Sequence, residues 1–582
     1  MGDVIETEVD QPKRKSWWRE TWVRAVAAGT LVCVLALGIL AEYVARHAEP
    51  VLRDSVVLTL EQRFHSPVEL DQLHISAAEG LEVRGDGLRI LYLTGPTQPE
   101  NPQGPGGQPP VQPTVNPMLS IKQFRFHTSL RGLLHLRTRI ETVYVEGMEL
   151  HIPPHSISTT AKPEASAAAK PEASKQPTIA MVVNKIVCKD AQLVIETTKP
   201  GKLPLRFDIR NLVLRDVGAS QPLVYAADLI IPKPIGRVRA DGHFGPWQGD
   251  DPRATPIDGD YTFDHADLGS IHGLRGTLSS TGHYAGELGY LTVDGTTETP
   301  DFALDLSGHA LPLHTSFHAY VDGTTGDTTL APVQARLRNS TFTATGAVVR
   351  VRDPANGKMG HDIALDVTMP QGRIEDLLEL GMKTQPPVMR GNVAMRTKVH
   401  VPPGPQRVAE KLQLAGTLSI QGIEFSNAKW QDRVDDLSLR AQGKPQEVKV
   451  AGSDGRPEVA SRMSVNFVLA NSMVKLSSLV YQVPGAQALL NGVYSMDGNI
   501  FEFEGHVRTD AKASQMVTGW KSALLKPFDK FLEKNGAGVQ LPVAIHGVKS
   551  DVSFGLALHG ADETPDQIAA DLRARKAAAA RK

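Results

Sequence analysis

The chain is 582 residues long, with 62 basic and 64 acidic side chains, and this near balance argues against a nucleic-acid binder working through a general positive field. With 51 Gly, 40 Pro and only 5% aromatic residues it is rich in turns and poor in carbohydrate- or base-stacking surface. Its two cysteines, Cys33 and Cys188, provide neither a disulfide framework nor a thiolate metal cluster.

The first element in chain order is apolar. Ala25 to Ala41, AVAAGTLVCVLALGILA, carries no charge and as a helix spans roughly 26 Å. Extended to Tyr43 it predicts a transmembrane helix over 25–43, with Trp17, Trp18, Trp22 and Tyr43 at the interfaces and Arg24 snorkelling. Lys13, Arg14, Lys15, Arg19 and Arg24 precede the span, so residues 1–24 are expected in the cytoplasm and the rest of the chain outside. A cleaved signal peptide fits less well, because the run is longer than a usual apolar core and Ile39-Leu40-Ala41 is a poor cleavage site.

Leu52, Val56, Leu60 and Phe64 then recur every four residues, the spacing of a short amphipathic helix, and Ser66-Pro67 stops it. An N-terminal β region is expected over 50–152. Two segments have linker composition: 94–117, TGPTQPENPQGPGGQPPVQPTVNP, and 153–178, in which AKPEAS occurs twice. Neither buries enough apolar area to offset the cost of ordering, so both are read as disordered insertions.

The remainder is repetitive. IETVYVEGMELHI (140–152) and VNKIVCKDAQLVI (183–195) share apolar positions at offsets 0, 3, 5, 10 and 12. The 0, 3, 5 half recurs at Leu70/Leu73/Ile75, Ile121/Phe124/Phe126, Ile209/Leu212/Leu214, Ile420/Ile423/Phe425, Val434/Leu437/Leu439 and Leu476/Leu479/Tyr481. Such self-similarity favours an extended repeating architecture. Between these units lie strands of cleaner alternation, including Ile363/Leu365/Val367/Met369, Val393/Met395/Thr397/Val399/Val401 and Val465/Phe467/Leu469. Apart from GRIEDLLELG at 372–381, no helical pattern of useful length separates neighbouring strands, so the sheet is expected to be antiparallel. Roughly 25 to 30 strands at about 4.8 Å spacing would make a rod on the order of 120 to 140 Å long.

A repeating groove is therefore expected over 179–510, one face of each strand being apolar. In a sandwich that face meets a second sheet; in an open, curved sheet it can meet an apolar ligand. Moving a two-chain lipid into water costs on the order of 25 kcal/mol at about 0.8 kcal/mol per CH₂, whereas a continuous apolar trough leading from a bilayer makes transfer nearly isoenergetic. The positions expected to line such a groove are Ile363, Leu365, Val367, Met369, Val393, Met395, Val399, Val465, Phe467 and Leu469.

Near the C-terminus, over 511–558, an amphipathic helix and closing strands are predicted. Ala513, Met516, Val517, Trp520, Leu524, Phe528, Phe531 and Leu532 fall within about 160° of one another on a helical wheel, Pro527 should kink or split the helix, and Asn535-Gly536 with Gly538 should end it. Such a helix caps the last sheet edge or serves as a gate or membrane-docking element at the far end of the groove. Residues 559–582 form a basic tail in which a short helix can start after Thr564-Pro565.

An anchor at 25–43, the stretch VLRDSVVLTLEQRFHSPVELDQLHI, the unit ETVYVEGMELHIPP and the C-terminal LVYQVPGAQALLNGVYSMDGNIFEFEGHVRTD…VKSDVSFGL together resemble the AsmA-like proteins of Gram-negative envelopes. The resemblance covers most of the chain after the anchor and is strongest over 476–558. It rests on apolar and glycine patterns, and the two Pro-rich insertions depart from it. It implies an inner-membrane, single-pass protein with its bulk in the periplasm, an elongated, curved, antiparallel β-groove of the bridge-like lipid transfer kind, and phospholipids moving toward the outer membrane as partners. The competing expectation is an envelope scaffold or outer-membrane assembly factor acting through protein partners.

Neither an enzyme nor a cofactor is expected. His314 and His318 are the tightest histidine pair, but four residues along a strand separate them by about 13 Å, too far to share a metal ion. Asp322–Asp327, DGTTGD, lacks calcium-loop spacing and reads as a hairpin turn. HExxH, P-loop and nucleophile-elbow motifs are absent from the sequence.

Overall fold

The computed structural model describes residues 50–572 apart from the segments 94–114, 129–138, 154–181, 451–458 and 557–562 and several gaps of one to four residues. The expected transmembrane helix at 25–43 lies outside the described residues, as do nearly all of the two Pro-rich insertions. Val115–Pro117, assigned to the first insertion from composition, instead open the strand Val115–Thr128. Among the described residues no helix is long and apolar enough to cross a membrane.

The chain divides into two units, one comprising residues 1–148 with 159–187 and the other 149–158 with 188–582. In the first, Val68–Ser76, Leu81–Leu93 and Val115–Thr128 form an antiparallel meander. The Leu70–Leu88–Ile121 row and the fully buried Val83 and Ile90 make its core. Phe124 lies across the strand from Gly85 and so close that a Cβ there would overlap its ring. Arg53 of the preceding helical stretch donates to the Leu70 carbonyl at 2.7 Å, tying that stretch to the first strand.

In the second unit each strand from Leu205–Val217 to Asp551–Leu556 pairs antiparallel with the next in sequence. The two-residue strand Leu274–Arg275 is the exception, lying against Ala303 and Leu304 at one margin. The antiparallel expectation from short connections therefore holds. Within this unit the sheet curls as an open half-barrel.

The recurrent 0, 3, 5 spacing has a physical origin. Between Ile209 and Asn211, Gln421 and Ile423, and Leu476 and Leu479 the register slips by one residue. A strand alternates faces every residue, so apolar residues three apart share a face only if one extra residue is accommodated in a β-bulge. At two of these slips the extra residue is left-handed, Gly422 at φ 62° and Ser478 at φ 51°. Ile420 and Ile423 are consequently both buried. Bulges also increase local twist, and their repetition along the chain is what curls the sheet.

One such unit is helical instead. Val434, Leu437 and Leu439, expected on a strand, belong to the helix Ala428–Ala441, whose first turn is capped by the Asn427 side chain accepting from the Lys429 amide. A three-residue spacing suits a helix face as well as a bulged strand, and the cap with its charged neighbours decided the outcome. GRIEDLLELG does form a helix, Ile374–Gly381.

Candidate functional site

One face of the second unit's sheet carries an apolar row that crosses it strand by strand. Its members in direct register are Ala227, Ala240, Tyr261, Gly282, Gly295, Phe317, Val333, Ala344, Val367, Thr397, Gly416, Phe467, Leu476, Gly492, Phe503 and Ile545. Thr397 and Tyr261, through their hydroxyls, are the two members of these sixteen with a polar side-chain group. Large rings face glycines: a Cβ at Gly282 would sit 2.7 Å from the Tyr261 ring, one at Gly295 2.7 Å from Phe317, and one at Gly492 2.3 Å from Phe503. Each glycine gives a ring room to lie flat across the neighbouring strand.

The opposite face is charged. His243 bonds Asp258, His283 bonds Asp260 and His318 bonds Asp294 at 3.0, 3.0 and 2.7 Å, each pair directly across a strand boundary. The alternation thus separates an uncharged surface from an ionic one over the same strands. Asp362 and Gln413 hold His400 above the usual imidazole range by accepting its ring N–H groups.

The ten groove positions expected from the sequence lie on the apolar face, where Ile363 faces Val401, Leu365 faces Val399, Val367 faces Thr397 and Met369 faces Met395. Across the next strands Leu418 faces Val465, Gly416 faces Phe467 and Leu414 faces Leu469. Their exposure differs. Ile363, Leu365, Val367, Met395, Val399 and Phe467 are half-buried. Met369 and Val393, only 2% and 1% exposed, belong to a packed cluster with Ile374, Ile420 and Ile423, which the helix Ile374–Gly381 joins through Leu377 and Leu378. Val465 is similarly packed with Leu479 and Phe503. Strand alternation shows which face a residue takes, but not where a helix inserted between strands will cover that face.

One margin of the apolar face is filled. Ile152, Ile195 and Leu288 form a cluster with Leu205, Phe207, Phe244 and Ile257. Beside it Lys199 pairs with Asp322 at 2.7 Å and Lys202 with Asp327 at 2.5 Å, joining positions more than 120 residues apart. Burial disfavours ionisation of both carboxyls, yet hydrogen bonds from Lys199 and Thr324 to Asp322, and from Lys202 and the Arg350 amide to Asp327, outweigh it and hold both below the usual carboxylate range. Asp322–Asp327 is the hairpin turn expected, closed by the Asp322 amide donating to the Asp327 carbonyl at 2.9 Å.

The predicted single helix over 513–532 is broken. Short helical pieces run Ala513–Gln515, Trp520–Leu525, Lys526–Phe528 and Asp529–Leu532. The Pro527 interruption was expected; the earlier break occurs at Gly519, whose φ of 70° is incompatible with a right-handed helix. The pieces are drawn together by Asp529, which accepts from the Ser514 amide at 2.9 Å and its hydroxyl at 2.6 Å. Met516 and Val517 are half-buried and Leu524 is 60% exposed, so the wheel's single apolar face does not form. The side chains of Trp520, Phe528 and Phe531 lie outside the described residues.

After Thr564 a short helix does begin. Thr564 and Gln567 cap it reciprocally, and Ile568 and Ala569 bury against Val493. This part of the expected basic tail therefore docks on the sheet.

Cys188 is buried, and burial pushes its thiol up to about 12, away from nucleophilic use. His314 bonds Glu298 across the strand, at 2.6 Å, and among the described residues no group of three or more His, Cys, Asp or Glu side chains is placed to hold a metal ion.

The glycine–aromatic pairs escaped sequence reading, although a signal existed. Gly259-x-Tyr261 and Gly282-x-Tyr284 repeat the same triplet on strands that prove antiparallel neighbours, so each tyrosine faces the other's glycine. No family model, curated protein or solved structure matches the chain.

Proposed function

We propose that the protein binds lipid acyl chains along the apolar face of its sheet and conducts them, as a non-enzymatic envelope protein anchored in the inner membrane through residues 25–43 and directing phospholipid through the periplasm toward the outer membrane. The supporting observation is the sixteen-strand apolar row, half-buried over much of its length and free of charge, opposed to an ionic face on the same strands. A chain lying along such a row exchanges one apolar neighbour for the next, so no step exposes it fully to water. The anchor and compartment are carried by the apolar run, the basic residues before it and the resemblance to AsmA-like proteins.

Mass spectrometry of organic extracts from the full chain, purified from its native envelope, tests this reading. Phospholipid should copurify with the wild type and fall at least several-fold in Leu365→Asp and Phe467→Asp variants, because a desolvated carboxylate in the acyl path is costly. These half-buried positions are better probes than Val465, which sits in a packed cluster. Lipid-free protein, or lipid retained unchanged in folded variants, would leave the scaffold reading, with an outer-membrane or envelope protein partner, as the better account.

A further inference from the structure

The apolar face also carries hydroxyls. On the strands between Leu223 and Val321 it carries the hydroxyls of Tyr225, Tyr261, Tyr284, Ser280, Thr297 and Thr315. Phe263, Ser280, Thr297 and Thr315 occupy one cross-strand row, and Tyr225, Gly242, Gly259 and Tyr284 another. Gly242 faces Gly259 within the second of these rows, and Gly282 faces Gly295 in the row between the two, so the floor here is made of glycines. A Cβ on Gly259 would sit 2.8 Å from the Tyr284 hydroxyl and 2.9 Å from that of Tyr225, and one on Gly295 2.8 Å from that of Tyr261. The Tyr225 and Tyr284 oxygens therefore meet over Gly259, and the Tyr261 oxygen lies over Gly295.

Hydrogen-bond counting leaves donors over. Ser280 donates to the Thr296 carbonyl at 2.9 Å, and Tyr261 can then donate to Ser280 at 3.1 Å, satisfying both protons. Thr297 and Thr315 share a single bond of 2.6 Å, so one of their two protons has no acceptor in that pair. Tyr225 and Tyr284 bond one another, and the alternative acceptor for Tyr225, the Asp258 carbonyl, is 3.4 Å away. A proton is spare there too whenever Tyr225 donates to Tyr284. Burial raises the pKa of all three phenols, keeping them neutral donors.

We propose that Tyr225, Tyr284, Thr297 and Thr315 form an uncharged hydrogen-bonding station that takes the ester carbonyls of an acyl lipid lying on the apolar face. The proposal rests on the lipid-binding reading. Acyl chains bring with them, at their polar end, a neutral group that only accepts hydrogen bonds, and the spare groups here only need acceptors. A phosphate would need a cation, and the neighbouring members of this face, Ala227, Val238, Ala240, Phe263, Val293, Phe317 and Ala319, supply none. The charged side chains of the same strands, such as Arg239, Asp260 and His283, alternate to the opposite face.

The test offers the purified full chain equal amounts of dioleoylphosphatidylcholine and its diether analogue, which has the same headgroup and chain length but no carbonyls, and measures the bound ratio by mass spectrometry. The wild type should retain the diester over the diether by about fivefold, the worth of one ordinary hydrogen bond. Tyr225→Phe/Tyr284→Phe, and independently Thr297→Val/Thr315→Val, should each move the ratio toward one while total bound lipid stays unchanged. Two variant pairs guard against a folding defect in either, which thermal melting would reveal. Equal retention of both lipids by the wild type, or an undiminished preference in both folded variants, overturns the station and leaves the trough standing. Retention of neither lipid overturns the trough as well.

Discussion

At the scale of single residues, the fold depends on where side chains are missing as much as on where they are large. Phe503 covers Gly492, Phe317 covers Gly295 and Tyr261 covers Gly282, each ring occupying the volume a Cβ would need. Gly492→Val should force Phe503 off its seat, disturbing the cluster it forms with Val465 and Leu479. We expect a loss of about 2 kcal/mol, as for other overpacked cores, seen as a lowered denaturation midpoint. A simultaneous Phe503→Leu change should recover part of it, because the clash is with the ring.

At the scale of elements, inserted helices decide which parts of the apolar face are core and which remain half-open. The helix Ile374–Gly381 is held by Asp376, a fully buried carboxylate that accepts from the Asn339 amide at 3.1 Å and the Ser340 hydroxyl at 2.8 Å. Ser340 in turn accepts from the Arg373 amide at 2.9 Å, so the turn between two strands and the helix start form one network. Asp376→Ala would remove the acceptor of the buried Ser340 hydroxyl and of the Asn339 amide and is expected to cost about 2 kcal/mol. It should also raise hydrogen exchange over 374–381 ahead of the neighbouring strands; uniform exchange would show that the helix is not fixed by this carboxylate. Much of this level was legible in the sequence. The GRIEDLLELG helix was, whereas Val434/Leu437/Leu439 fitted two periodicities at once, and only the Asn427 cap separated them. Gly519 was passed over because a wheel counts apolar positions and ignores a backbone that turns left-handed.

At the scale of the larger unit, a long meander needs ties between positions distant in sequence, and the Lys199–Asp322 and Lys202–Asp327 pairs are such ties. Lys202 is the more sheltered lysine, and it also donates to the Arg350 carbonyl. Lys202→Met should leave Asp327 partly buried without its cation and cost about 2 kcal/mol. Because both aspartates titrate below their ordinary value of 3.8 in the folded protein, their contribution is fully present above that value and disappears as pH falls through the lower folded values. Hydrogen-exchange protection at the described residues of 199–207 and 322–327, taken relative to the intrinsic exchange rate at each pH, should therefore be unchanged between pH 7 and 5 and fall only in stronger acid. Loss of protection already at pH 6 would mean that another group controls this margin.

The sequence by itself determined the strand-dominated class, the antiparallel meander and the face each groove candidate takes, since these follow from period-two alternation and short connections that no tertiary contact has to arbitrate. Even the bulges were written there, as a spacing of three. Tertiary structure alone decided which apolar positions are sealed, which remain half-open and where hydroxyls gather among them. Met369 and Leu365 occupy the same strand and the same face, yet one lies in the cluster the helix Ile374–Gly381 joins and the other stays half-buried. Tyr261 and Tyr284 meet each other's glycines only because two strands align in one register. Burial is a property of what arrives from elsewhere in the chain, and a strand's own periodicity carries no record of it.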